Sequence, residues 1–106
     1  MLPSLKEKKR YIVFQVKSEK MLDFGQIKDE ITRKMIRFLG ELGYGKAGIM
    51  IVEGNKDKGI IKVNNNHVDD ARAALALVKD LNNEKAMIQT LGISGILKKA
   101  RERWYI

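Results

Sequence analysis

The apolar residues of this chain change their spacing segment by segment, and the order of those spacings is the strongest constraint on its fold. From Arg10 to Lys17 (RYIVFQVK), Ile12, Phe14 and Val16 alternate with Tyr11, Val13 and Gln15. That is the period of a β-strand. Asp23 followed by Gln26 is a capping-box signature opening a helix. Beyond it Phe24, Ile27, Ile31, Met35, Phe38 and Leu42 recur every three or four residues, which makes one apolar helical stripe. Gly43 and Gly45 are expected to end that helix. Ala47 to Val52 then reads as a strand, Glu53 to Lys58 (EGNKDK) as a turn and Gly59 to Val63 as the returning strand of a hairpin.

Asn64-Asn65-Asn66 interrupts the pattern. Asn66 can cap a second helix, with Asp69 and Asp70 placed well in its first turn. Val68, Ala71, Leu75, Val78 and Leu81 supply its buried stripe, and Asn82-Asn83 is expected to end it. Lys85 to Leu91 reads as a fourth strand, Gly92-Ile93-Ser94-Gly95 as a turn, and about Ile96 to Trp104 as a last helix. The order β-α-β-β-α-β plus a terminal helix predicts an α+β fold, a ferredoxin-like sandwich of the kind seen in RNA-recognition motifs. Residues 1–106 form one domain, with a basic leader over about 1–9 and a basic C-terminal helix over about 95–104. That topology serves many functions and selects none.

The charge is more selective. The formal net charge is +8, and most of it lies at the two ends. Lys6, Lys8, Lys9 and Arg10 face only Glu7, and Lys98, Lys99, Arg101 and Arg103 face only Glu102. Two cationic ends on a nearly neutral body suit a polyanion bound through its phosphates, with salt-sensitive affinity. The turn at Gly92, Ser94 and Gly95 offers two readings: backbone donors open to a phosphate, or a plain tight turn with Ser94 as helix cap. Trp104 and Tyr105 interleave with the basic end; they can stack on bases or tuck into the protein's own core. Asp29, Arg33, Arg37 and Glu41, with Glu30 and Lys34 beside them, read as a solvated ion-pair face of the first helix.

Catalytic signatures are missing. There is no cysteine, and His67 is the sole histidine. No His, Cys or carboxylate set has metal-ligand spacing, and neither a Walker A motif nor GxGxxG follows a strand. Asp69 and Asp70, as neighbours on a helix, point about 100° apart. A self-contained active site is therefore not expected, nor a bound cofactor. No apolar run approaches the ~20 residues of a membrane span, and no secretory signal is visible, so the chain is expected to be cytoplasmic. The outer sheet face should carry Val13, Ile60, Met87 and Leu91 beside Tyr11, Gln15 and Lys62. The strand Gly59 to Val63 lacks the aromatics that stack bases in an RNA-recognition motif. So much apolar surface calls for cover, either from Leu97, Ala100 and Trp104 of the last helix or from a partner protein.

The blocks Leu5-Lys6-Glu7-Lys8-Lys9-Arg10-Tyr11, Phe38-Leu39-Gly40-Glu41-Leu42-Gly43, Arg72-Ala73-Ala74-Leu75-Ala76-Leu77 and Thr90-Leu91-Gly92-Ile93-Ser94-Gly95 follow one another along the chain, and in that order they resemble the archaeal ribonuclease P protein component 2 family. This chain departs from the family pattern at Ile96, where Thr is frequent, and at Lys62-Val63. The resemblance implies a role in removing the 5′ leader of precursor tRNA. It implies that the catalytic RNA cuts with its own magnesium, and that the protein pairs with ribonuclease P protein component 3 in a heterotetramer of two pairs, alongside other ribonuclease P proteins. On this reading Lys6, Lys8, Lys9, Arg10, Gly92, Ser94, Gly95, Lys98, Lys99, Arg101 and Arg103 meet RNA. The alternative is a protein-interaction or ligand-sensing module of the same fold, its basic ends serving solubility.

Overall fold

The computed structural model describes residues 8–106. Strand β1 (Lys9–Ser18) is followed by helix α1 (Phe24–Ala47), the hairpin β2 (Met50–Asn55) and β3 (Lys58–Asn64), helix α2 (Val68–Ala76), the short β4 (Asp80–Leu81), the long β5 (Glu84–Ser94) and a C-terminal helix. That helix, α3, runs over Leu97–Ala100 and continues through a π-helical turn, Arg101–Tyr105. The sheet order is β2-β3-β1-β5-β4 with antiparallel pairing throughout. Its four long strands have the ferredoxin-like arrangement. No helix among the described residues is long and apolar enough to cross a membrane.

The main core lies between one sheet face and the two long helices. Ile12, Phe14 and Val16 of β1 meet Phe24, Ile27, Ile31 and Met35 of α1 and Ala71, Ala74 and Leu75 of α2. Hairpin glycines give the aromatics room. A Cβ on Gly54 would fall 1.9 Å from the Phe24 ring, and one on Gly59 would fall 2.5 Å from Phe14. Phe14 and Phe24 lie with centroids 6.1 Å apart, a spacing at which tilted rings attract.

Local departures from expectation each have a cause. Helix α1 does not stop at Gly43 or Gly45. It breaks at Gly40, whose φ of 77° and ψ of 160° suit glycine alone, then resumes to Ala47. Gly48, at φ 63°, closes it in left-handed conformation, its N–H donating to the Gly45 carbonyl at 3.1 Å. The last part of the apolar stripe leaves the core: Phe38 is 39% exposed and Leu42 72%, while Leu39 and Tyr44 pack against it. Asp23 precedes α1 without a side-chain cap, and Asn66 sits inside a 3₁₀ turn, Asn65–His67, instead of capping α2. The second helix also ends earlier than its stripe. Val78 and Leu81 are buried, but they follow the helix. Asn82 and Asn83, both at positive φ, form the two-residue turn of the β4–β5 hairpin. Lys34 anchors that hairpin, reaching Asp80 Oδ1 at 2.9 Å and Glu30 Oε2 at 3.4 Å, while the Asn82 N–H donates to Glu30 at 2.9 Å. The neighbouring Asp29–Arg33 and Arg37–Glu41 pairs do not close among the described residues.

Candidate functional site

The second sheet face is built by two irregularities. Pairing between β1 and β5 shifts at Val13/Phe14, so Leu91 is the surplus residue beside Gly92; pairing between β2 and β3 shifts between Ile51 and Glu53. A bulge puts two successive residues against one partner. Leu91 and Gly92 thereby share the outer face with Val13, and Val52 and Glu53 share it with Ile60. A second apolar cluster forms there from Val13, Ile60, Ala100, Tyr11, Val52, Leu91, Leu97, Trp104 and Tyr105. Helix α3 therefore covers the sheet centre with its own apolar side, and Trp104 is part of the protein's packing. Met87, expected on this face, is not part of that cluster and is 58% exposed.

Gly92 is the keyhole. A Cβ there would fall 2.0 Å from the Trp104 indole, so only glycine admits the ring. The expected turn at 92–95 is accordingly a correction. Gly92, Ile93 and Ser94 are strand, and only Gly95 and Ile96 bend. The Ser94 hydroxyl accepts the Ile96 N–H at 3.1 Å, which occupies the first donor the anion reading needed. Ile96 precedes α3 with no side-chain cap.

The strand register brings the two basic ends together. Tyr11 pairs with Ser94, so the start of β1 lies against the end of β5. The Arg10 guanidinium passes so close to Gly95 that a Cβ there would sit 3.2 Å from its Nη1. Arg10 Nε donates to Asn65 Oδ1 at 2.8 Å. Lys9 Nζ donates to Asn64 Oδ1, and Asn64 Nδ2 donates to the Lys46 carbonyl at 3.0 Å. Asn64, the buried polar side chain of this corner, thus ties the end of α1 to the start of β1. Lys62, cross-strand from Tyr11, adds a cation at the same end of the sheet. The asparagine block announced a strand end in the sequence. Its service to Lys9 and Arg10 needed the β1–β3 register, which single-strand periodicity does not give.

The basic residues fall into distinct settings. Lys8, Lys9, Lys98, Lys99 and Arg103 are exposed, and among the described residues none of them, nor Arg10, pairs with a carboxylate. Arg103 stacks over Trp104 at 5.6 Å. Arg101 is different: it is ion-paired with Glu53 on β2, and that hydrogen bond, ahead of the plain charge attraction, raises its pKa. Tyr105 beside it is pushed up by burial and by the Glu53 charge. Lys58 Nζ donates to the Trp104 carbonyl at 3.2 Å. Lys6 lies outside the described residues. A hollow of about 880 Å³ opens at the far end of β1 and is lined by Lys17, Lys20 and Lys56 together with Glu19, Asp23 and Asp57. Among the described residues no three His, Asp or Glu side chains gather in a way that could hold a metal.

The model of the Rpp14/Pop5 family matches residues 10–105. The chain belongs to the Rpp14/Pop5 family. This Rpp14/Pop5 protein is 40% identical over 104 residues to ribonuclease P protein component 2 of Pyrococcus furiosus, covering 96% of this chain and 87% of that one. It is 36% identical to the protein of the same name from Thermococcus gammatolerans, over 96% of this chain and 87% of that one. With the one from Methanosarcina acetivorans it again shares 36%, over 98% and 79%. A chain in the cryo-EM structure of yeast ribonuclease MRP superposes on the Rpp14/Pop5 fold with a TM-score of 0.69 over 85% of this chain and 76% of that one, at 13% identity. That likeness concerns the fold.

Proposed function

We propose that this chain is a non-catalytic protein subunit of ribonuclease P that grips the catalytic RNA by its phosphates and so helps remove the 5′ leader of precursor tRNA. The observation that carries this is the meeting of Arg10 with Gly95, which turns two basic ends into one cationic surface. Lys8, Lys9, Arg10, Lys98, Lys99 and Arg103 are its contacts; Lys6, outside the described residues, joins the proposal on its place in the sequence alone. Cations gathered on one face neutralise neighbouring phosphates together and release their counterions together. Arginine adds bidentate geometry where it reaches a phosphate. Bond cleavage belongs to the RNA and its magnesium; this chain supplies position and charge. Family membership supports ribonuclease P over a ligand-sensing module of the same fold.

Because α3 occupies the sheet, a protein partner such as ribonuclease P protein component 3 needs another surface. Phe38 and Leu42 on α1 remain exposed for it, in a cytoplasmic heterotetramer of two pairs. The decisive experiment is reconstitution of precursor-tRNA cleavage from catalytic RNA and component 3, with and without this chain. Cleavage that rises at limiting magnesium when the chain is added supports the proposal. Cleavage that ignores the chain, together with RNA affinity unchanged across salt concentrations, rejects it.

A further inference from the structure

The cations of the C-terminal helix do not share one role. Glu53 reaches Arg101 because the β2 bulge turns it onto the outer face. Trp104 seats over Gly92 because the β5 bulge turns that glycine outward. Lys58 holds the carbonyl of Trp104. These three ties fix both the rotation and the position of α3. With Ala100 fully buried beneath it, the helix keeps Lys98 and Lys99 in solvent a few residues from the Gly95–Arg10 junction. Arg101 is the cation of this helix that spends a guanidinium nitrogen on a carboxylate, whereas among the described residues Lys98, Lys99 and Arg103 have no such partner.

We infer that Arg101 is a positioning residue: through Glu53 it holds α3 so that Lys98, Lys99 and Arg103 meet RNA, and it makes no phosphate contact itself. This rests on the functional reading above. It also assigns the recognised RNA to the folded, backbone-presenting class. The aromatics of this face, Tyr11, Trp104 and Tyr105, pack α3 against the sheet and are partly buried there, which leaves less ring surface for base stacking.

The test uses the full chain, a fluorescein-labelled archaeal ribonuclease P RNA and anisotropy titrations at several salt concentrations. Arg101→Glu is expected to weaken binding about tenfold, by misplacing α3 and by its charge. The swap Glu53→Arg with Arg101→Glu leaves net charge unaltered and rebuilds the pair with reversed polarity; it is expected to recover affinity to within about twofold of wild type. A swap as weak as Arg101→Glu alone would mean that the guanidinium itself touches RNA, and overturns the inference. A second arm uses Arg101→Met in a wild-type and in a Lys98→Gln, Lys99→Gln background. A positioning role makes the losses markedly less than additive, whereas an independent contact makes them additive. Trp104, the single tryptophan, reports directly on docking. Its emission is expected to move to the red in Arg101→Glu, to return in the swap, and to stay unquenched when RNA binds wild type. Quenching by RNA would show base stacking and reject the inference. Wild-type protein that binds no RNA at all removes the functional reading and this inference with it, an outcome separable from a failed swap.

Discussion

Single residues here act through the space they leave or the proton they keep. Gly92 is the clearest instance, since its missing side chain is where the indole sits. Gly92→Ala forces either the ring or the strand to move, an overpacking cost of about 1–3 kcal/mol. Urea unfolding should register that loss, with a red shift of Trp104 emission in the folded baseline. Tyrosine protons give a second readout. Burial, partly offset by a hydrogen bond with Thr32, raises the Tyr44 pKa above its ordinary 10.0, and Tyr105 is raised for the reasons given above. A group whose pKa is raised on folding stabilises the protein fully below its unfolded value, and that contribution is lost as pH climbs toward the folded one. Melting temperature should therefore fall as pH rises from about 9 to about 11. Tyr44→Phe should flatten part of that fall, and an unaltered slope would remove Tyr44 from the explanation.

Elements were legible where their periodicity was uninterrupted. The alternation of β1 and the first stripe of α1 locate a strand and a helix, and both lie where the pattern puts them. Legibility failed at the interruptions, because a glycine or a pair of asparagines punctuates the chain without saying how. Gly40, Gly43 and Gly45 look alike in sequence; Gly40 is the break and the others stay helical, a choice that glycine content alone does not make. Asn82-Asn83 signals a stop equally well for a helix or a hairpin, and the hairpin gained Glu30 and Lys34 as partners. The expected turn at 92–95 failed for a related reason, since bulges arise between strands and leave no period in either one alone. Gly40→Ala tests the break. Its backbone angles cost a side chain about 1–3 kcal/mol, and no neighbouring atom stands in the way. Chemical denaturation should show that destabilisation; equal stability would mean that the helix straightens instead.

At the scale of the whole molecule the fold is a device for collecting charge. Antiparallel pairing of the first and the last long strands makes residues 10 and 95 neighbours, so Lys9, Arg10, Lys98 and Lys99 gather near one end of the sheet and focus their field there on an approaching polyanion. The basic clusters were visible in sequence; their union, and the separate setting of Arg101, required the register. Replacing Lys98 and Lys99 by glutamine should lower the slope of log affinity against log salt by about 1.4–1.8 for two lost phosphate contacts. Replacing Lys17 and Lys20, at the opposite end of β1, should leave that slope nearly untouched. Equal effects from both pairs would mean that attraction is spread over the whole surface. The bulge at Leu91 reaches further than any of these side chains. Excise that one surplus amino acid and strict up-down alternation returns to β5: ridge and notch no longer point the same way, the terminal helix loses its seat, and an open, greasy platform takes the place of a charged crest. Among relatives, a length difference of a single position in this strand would thus mark a change in how the protein meets its nucleic acid.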